Sequence, residues 1–282
     1  MVTLPAGVLD RFPRFTRYNS PYPAHDAGTA VDLYPEEPVA PSPVAGRVVE
    51  TKTVTCPSRP YAADHDHLIV VDTGENLARM LHVEPAVAPG DEVAVGDPLG
   101  PLVRSGYFAP WVDNHVHLGF RDRSANAIRA TGSLPLAIDV PIEPVRWDGT
   151  GTVVETRDTF AILDAPAHPA PGTAFAGIAD DTGDFVLDGG LPHYEWGGRL
   201  AADPARRADS DGSESRPVEF LGQTVGYATS EPVRWSALTV LANGDPVHGL
   251  SLFFGRDVLY AKLIERDHDF AVGEDVVVTI EA

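Results

Sequence analysis

The feature that most constrains the fold is a rhythm of short apolar runs separated by turn-forming residues. Clusters of Pro, Gly, Asp and Asn punctuate these runs at short intervals, and the chain holds 26 glycines and 26 prolines. Helical periodicity is almost absent, and this combination is typical of sandwiches and barrels. The sequence therefore predicts an all-β protein, with strands such as "GRVVETKTV", "HLIVVD", "NHVHLGF" and "DVVVTIEA".

One interruption of this rhythm predicts two domains. The stretch of residues 124–142 lacks a strand pattern and ends in prolines, as interdomain linkers often do. We therefore expect a first β-domain at residues 1–125 and a second, sandwich- or barrel-like β-domain at residues 140–282. The pentapeptide "EPVRW" occurs at Glu143–Trp147 and again at Glu231–Trp235, which predicts a duplicated β-unit in the second half.

The charge balance excludes several classes of partner. The chain has 41 acidic residues against 21 Lys and Arg, for a formal net charge of −20. Such a surface repels nucleic acids and anionic membranes, so we expect neither as a partner. Only two of the basic residues are lysines, and this acidic, lysine-poor composition is like that of proteins from extreme halophiles; an acidic mesophilic protein is the alternative.

Cysteine usage and hydropathy bear on the compartment. The single cysteine, Cys56, excludes an internal disulfide framework and fits a reducing environment. No apolar run approaches the roughly 20 residues of a membrane-spanning helix, and the N-terminal residues lack a secretory signal pattern. The expectation is a cytoplasmic protein.

Two histidines mark the most informative segment, "DNHVHLGFRD". Side chains at positions i and i+2 of a strand point the same way, so His115 and His117 share a face. They either bind one common ligand or are two half-exposed strand histidines. The first reading gains weight from ionisable residues upstream, His25, Asp32 and His82.

Further segments around these residues form an ordered series. The series consists of "AHDAGTAVD", "APSPVAGRVV", "RMLHV", "PGDEVAVGDPLG" and "HVHLGF". In this order they resemble the lysostaphin/LytM-type zinc endopeptidases, which are built on the duplicated hybrid motif. The resemblance covers about residues 20–122, less than half of the chain.

The resemblance implies a fold, a metal and a reaction. The first domain would be a LytM-like β-domain in which His25, Asp32 and His117 bind zinc. His115 would act as general base, and His82 would orient water or stabilise an oxyanion. The substrate would be a peptide or peptide-like amide. The alternative is an inactive LytM-like module that binds a ligand or protein partner without metal.

One spacing departs from the family pattern. The family places the first histidine and the aspartate four residues apart, whereas His25 and Asp32 are seven apart. An odd offset on a regular strand would put them on opposite faces, so we expect a bulge or insertion around Ala27–Gly28. Asp26 is a rival carboxylate.

Other histidines are weaker candidates. His65 and His67 form a second His-x-His in "DHDHL", which begins the predicted strand "HLIVVD" at a place where the resembled family usually has a loop, and we do not expect it to be a site. The loop "GLPHYEWGG" could bind a sugar or peptide, although anchoring by its own aromatic residues is the favoured reading. The remaining histidines of the second half share no motif.

Overall fold

The chain divides into two compact units of β-structure, in agreement with the predicted all-β, two-domain class. The computed structural model describes residues 1–129, 132–206 and 214–282, so Ala130 and Thr131 of the expected linker lie outside the described residues. One unit comprises residues 1–15 and 29–139, and the other comprises 16–28 and 140–282. None of the helices in these described ranges has the length or apolar character needed to span a membrane.

The first unit is built around an antiparallel sheet with the strand order β3-β10-β7-β6-β5-β8. Strands β4 and β9 form a small antiparallel pair, and β1 and β11 a parallel pair. The elements are α1 (Ala6–Leu9), β1 (Val2–Pro5), β2 (Arg14–Thr16), β3 (Ala30–Tyr34), β4 (Val39–Pro41), β5 (Gly46–Thr55), β6 (His65–Asp72), β7 (Asn76–Leu81), β8 (Glu92–Val93), β9 (Pro98–Pro101), β10 (Val116–Asp122) and β11 (Leu136–Asp139).

The second unit contains a curled sheet of twelve strands in the order β18-β19-β20-β17-β16-β23-β25-β14-β13-β26-β21-β22. Its elements are α2 (Pro23–Asp26), β12 (Ile142–Val145), β13 (Thr150–Arg157), β14 (Phe160–Leu163), β15 (Phe175–Ile178), β16 (Phe185–Leu191), β17 (Trp196–Ala201), a 3₁₀ turn (Pro204–Arg206), β18 (Arg216–Phe220), β19 (Gln223–Ala228), β20 (Pro232–Trp235), β21 (Thr239–Ala242), β22 (Asp245–Val247), β23 (Gly249–Leu252), β24 (Phe254–Gly255), β25 (Lys262–Ile264) and β26 (Asp275–Glu281).

The segment of residues 16–28 belongs to the second unit through buried polar contacts that the sequence does not predict. The backbone N–H groups of Arg17 and Tyr18 donate to one carboxylate oxygen of Asp188, at 2.6 and 3.1 Å. The guanidinium of Arg17 donates to Glu231 at 2.5 Å. Pairing of this kind removes the penalty of an isolated buried charge and fixes the segment.

The repeated pentapeptide occupies two different environments of strand pairing. The first copy lies on β12, which pairs in parallel with β15. The second copy lies on β20, which runs antiparallel to β17 and β19. Both tryptophans, Trp147 and Trp235, are buried in the same apolar core. The repeat thus supplies two equivalent core anchors without equivalent strand pairing.

The proline-braced turn before β5 ends at a glycine that no other residue can replace without strain. Gly46 has φ +149°, and a Cβ there would lie 2.2 Å from the carbonyl oxygen of Asp72. We expect Gly46→Ala to lower the free energy of unfolding by about 2–4 kcal/mol, because it adds a backbone clash to an unfavourable φ. Gly74→Ala is the matched control, since φ is +89° there but a Cβ would meet nothing within 4 Å. Equal losses for both variants in urea unfolding would contradict the clash.

A buried histidine in the second unit makes stability depend on pH. Both ring nitrogens of His193, in the "GLPHYEWGG" loop, are buried, and its ring packs 4.6 Å from Tyr194 and 5.6 Å from His248. Burial, together with the charges of His248 and Lys262, lowers the pKa of His193 to about 3. The aromatic packing agrees with a loop anchored by its own rings.

The sign of this pH dependence follows from the direction of the shift. Below pH ~6.5 the unfolded chain protonates this histidine while the folded chain does not, so stability falls as the pH drops towards 3. We expect His193→Gln to remove a slope of about 1.4 kcal/mol per pH unit between pH 6 and 4. Urea unfolding of both proteins at several pH values measures the difference, and parallel curves would contradict it.

Candidate metal centre

Asp32 and two histidines meet on one face of the sheet in the first unit. Strands β3 and β10 are antiparallel, and their register sets Asp32 directly opposite His117. Nδ1 of His117 lies 2.9 Å from Oδ1 of Asp32, and Nε2 of His115 lies 3.4 Å from Oδ2. The alternation of β10 explains this arrangement, because Val116 and Leu118 point to the opposite face and are fully buried. The predicted common face of the two histidines is thus present.

His115 is enclosed by aromatic rings and held neutral. Its ring centroid lies 4.3 Å from that of Phe108 and 5.0 Å from that of Tyr34. Burial lowers the pKa of His115 to about 3, although the carboxylate of Asp32 acts in the opposite direction. Its Nδ1 lies 2.9 Å from the carbonyl oxygen of Asp113, so the neutral ring carries its proton there and directs the Nε2 lone pair at Asp32. Two acceptors that face each other in this way favour a cation or a shared proton between them.

His25 does not lie on a strand, which corrects the expected origin of the seven-residue spacing. The chain forms the helical turn α2 at Pro23–Asp26, and Gly28 then adopts φ +61° before β3 begins at Ala30. No β-bulge is involved, so the alternation rule for strands does not apply to His25 and Asp32. Nδ1 of the buried His25 lies 2.6 Å from the carbonyl oxygen of Arg17. A carbonyl partner fixes the proton on Nδ1 and places the lone pair on Nε2, as is common for histidine ligands of metals.

The three expected ligands form one group that could hold a metal ion. His25, Asp32 and His117 each offer one ligand atom, and these atoms lie within 4.8 Å of one another. No other such group occurs among the described residues, so the rival Asp26 and the pair His65 and His67 are not part of one.

His82 is oriented by a carboxylate that the sequence did not single out. Nδ1 of His82 lies 2.6 Å from Oδ2 of Asp66, and the backbone N–H of His82 donates to Oδ1 at 3.1 Å. The hydroxyl of Ser105 donates to the same carboxylate at 2.8 Å, as does the backbone N–H of His67 at 2.7 Å. Burial alone raises the pKa of Asp66, but these hydrogen bonds outweigh it and hold the pKa below its ordinary value.

The ring of His82 packs near the imidazoles of His115 and His117. Its centroid lies 5.2 Å from that of His115 and 5.9 Å from that of His117. His82 has a left-handed backbone, φ 70°, which is uncommon for a residue with a side chain and occurs often at functional sites. The conformation follows directly on the end of β7 at Leu81.

The "DHDHL" stretch belongs to strand β6 from His65 onwards, two residues earlier than the predicted strand "HLIVVD". Strand β6 begins at His65, which is exposed, and its alternation turns Asp66 into the protein together with Leu68 and Val70. The sequence pattern singles out the flanking histidines and not the carboxylate of Asp66 between them. The detectable signal was an aspartate in phase with two apolar residues of the run that follows.

Comparisons with known proteins identify a family but no activity. No curated protein matches the chain. Among solved structures, the antimicrobial peptidase lysostaphin from Staphylococcus simulans aligns over 97% of this chain and 96% of its own, with 13% sequence identity. Its TM-score of 0.26 is too low to support a conclusion on fold or activity.

Two models of one family cover almost the whole chain. The model described as "Domain of unknown function (DUF8155) N-terminal domain" matches residues 3–138, which include every residue of the candidate metal centre. The model described as "Domain of unknown function (DUF8155) C-terminal domain" matches residues 143–281. The chain therefore belongs to the DUF8155 family.

Proposed function

We propose that the protein is a zinc-dependent hydrolase that cleaves an amide bond in a peptide or peptide-like substrate. The observation that carries the proposal is the grouping of two imidazoles and a carboxylate, from His25, His117 and Asp32. These are the donor types of zinc sites, and three protein ligands with one open position are typical of catalytic zinc. Zinc bound there would supply a Lewis acid that polarises a scissile carbonyl and acidifies a water molecule.

The residues around the ligands fit the other tasks of such a reaction. His115 is neutral and therefore has a lone pair with which to accept a proton, which is the role we propose for it. Asp66 accepts from Nδ1 of His82, which leaves the Nε2 lone pair free to accept a proton, and the ring lies 5.2 Å from that of His115. We propose that it orients water or stabilises the oxyanion.

One observation favours the alternative of a metal-free binding module. Asp32 and His117 lie at hydrogen-bonding distance, as do His82 and Asp66, so both pairs are satisfied by protein groups alone. A module of this kind would keep the fold and bind a ligand or partner without hydrolysis.

Metal content separates the two functions. We expect protein that has been stripped with EDTA and dialysed against zinc to retain about one zinc ion per chain, measured by mass spectrometry of the metal. The same protein should cleave members of a peptide library only after zinc is restored. Protein that retains no stoichiometric zinc after dialysis would favour the binding module.

A further inference from the structure

Arg79 is a buried cation without a protein counter-ion. Its side chain is on β7, and the residue is only 7% exposed. Among the described residues, no group accepts a hydrogen bond from its guanidinium or forms an ion pair with it, and Nε is buried. A buried guanidinium nitrogen without an acceptor is unfavourable in a folded protein. The chain has 41 acidic residues, yet no described carboxylate pairs with this arginine.

A second guanidinium lies beside it. Arg121, on β10, is fully buried, and its Nη2 donates to the carbonyl oxygen of Arg129 at 3.2 Å. Its Nη1 donates to the hydroxyl of Ser133. Burial and the charge of Arg121 lower the pKa of Arg79 to about 10, and burial also lowers the pKa of Arg121. A guanidinium stays charged at neutral pH in proteins. Two neighbouring guanidiniums repel each other unless an anion lies between them or beside them.

The arginines share a sheet face with the candidate metal centre. The register places Arg79 opposite Gly119, and His117 and Arg121 lie two residues to either side of Gly119 on β10. Residues two apart on a strand have the same orientation and are separated by about 7 Å. Arg79 and its opposite residue Gly119 therefore lie about 7 Å along the sheet from His117. This distance equals the length of about two extended peptide residues.

The residue opposite Arg79 adds no side chain of its own beside the guanidinium. Gly119 has no side chain, and a Cβ there would make only ordinary contacts, at 3.5 Å from the carbonyl oxygen of Thr29 and 3.7 Å from Oγ of Ser133. The planar fork of a guanidinium binds two oxygens of a carboxylate or phosphate at once.

We propose that Arg79, with the charge of Arg121 beside it, binds an anionic oxyacid group, a carboxylate or a phosphate, carried by the substrate close to the bond that is cleaved. The assignment of this anion to a substrate rests on the proposed function, whereas the anion site itself does not. The substrate class would be acidic peptides or peptide-like amides. The negative net charge of the protein as a whole repels such substrates, so the arginines would have to attract them locally.

The test is thermal unfolding of the full chain without metal, in EDTA. We expect saturating acetate or inorganic phosphate to raise Tm by about 3 °C above sodium chloride of equal ionic strength. Whichever of the two anions gives the larger shift identifies the oxyacid. Arg79→Gln should lose the shift, while Arg157→Gln, at an arginine whose side chain is 67% exposed, should keep it. A shift no larger than that of chloride, or one retained by Arg79→Gln, would overturn the proposal.

Stability without an anion distinguishes a binding residue from a structural one. Arg79→Gln should unfold at or above the Tm of the unchanged protein in chloride, because it removes a charge that no protein group compensates. A marked fall in Tm would overturn the proposal, since it would make Arg79 a structural residue. Zinc content separates the anion site from the proposed function. A rise in Tm with anion in a protein that binds no zinc supports the anion site and refutes the hydrolase. Zinc binding and hydrolysis without an anion shift refute the anion site alone.

Discussion

Exchange of His117 for alanine is expected to abolish stoichiometric zinc binding. His117 supplies one of only three protein donors in the proposed centre, and its partner in the metal-free protein is the carboxylate of Asp32. Loss of one donor leaves an imidazole and a carboxylate, so we expect the Kd for zinc to rise about a thousandfold, equivalent to about 4 kcal/mol. Competition with a chromophoric chelator measures this change directly.

The second His-x-His of the chain provides the matched control. His65→Ala removes an exposed histidine from β6 in the same unit and should leave zinc affinity unchanged. Circular dichroism should show the β-structure of both variants intact, since the His117 side chain is 16% exposed and not part of the apolar core. Zinc affinity in His117→Ala equal to that of His65→Ala would refute the proposed ligand set.

The sequence predicted the local parts of this centre well. Strand alternation alone places His115 and His117 on one face, because the period of two is a property of every extended chain. The all-β class followed from the same rhythm. The pairing of β3 with β10 could not be predicted from local pattern, because Asp32 and His117 are 85 residues apart. Only the resemblance to a known motif predicted that they lie in one site.

The parts that escaped prediction depend on tertiary context. The helical turn at Pro23–Asp26 is too short to show periodicity, so the sequence did not reveal how His25 and Asp32 converge. Residues 16–28 join the rest of the second unit through Asp188 and Glu231, more than 170 residues along the chain from Arg17. Arg79 sits in the apolar run "LARML", where nothing local distinguishes a snorkelling arginine from an unpaired buried one.

Replacement of Asp66 by alanine is expected to be among the most destabilising substitutions in the first unit. The carboxylate is fully buried and accepts four hydrogen bonds, from the ring and backbone of His82, from Ser105 and from the backbone of His67. Its removal deprives the His82 ring, the Ser105 hydroxyl and the backbone N–H of His67 of this acceptor, so we expect the free energy of unfolding to fall by about 3–5 kcal/mol. Urea unfolding measures the loss. Ser105→Ala, which deletes one donor to Asp66 and the acceptor of the Tyr107 backbone N–H, should cost less, about 1–2 kcal/mol.

Asp66→Asn separates the charge from the shape of the site. Because the pKa of Asp66 is lowered on folding, its contribution to stability is present above pH ~4 and is lost as the pH falls through the folded pKa. The asparagine variant should lack this acid-dependent loss, and its amide can no longer accept through both oxygens. If the centre hydrolyses amides, the variant should also reduce kcat by about a hundredfold or more with zinc still bound, because His82 loses its fixed tautomer. A variant with unchanged kcat and full zinc content would show that Asp66 supports the fold and not the reaction.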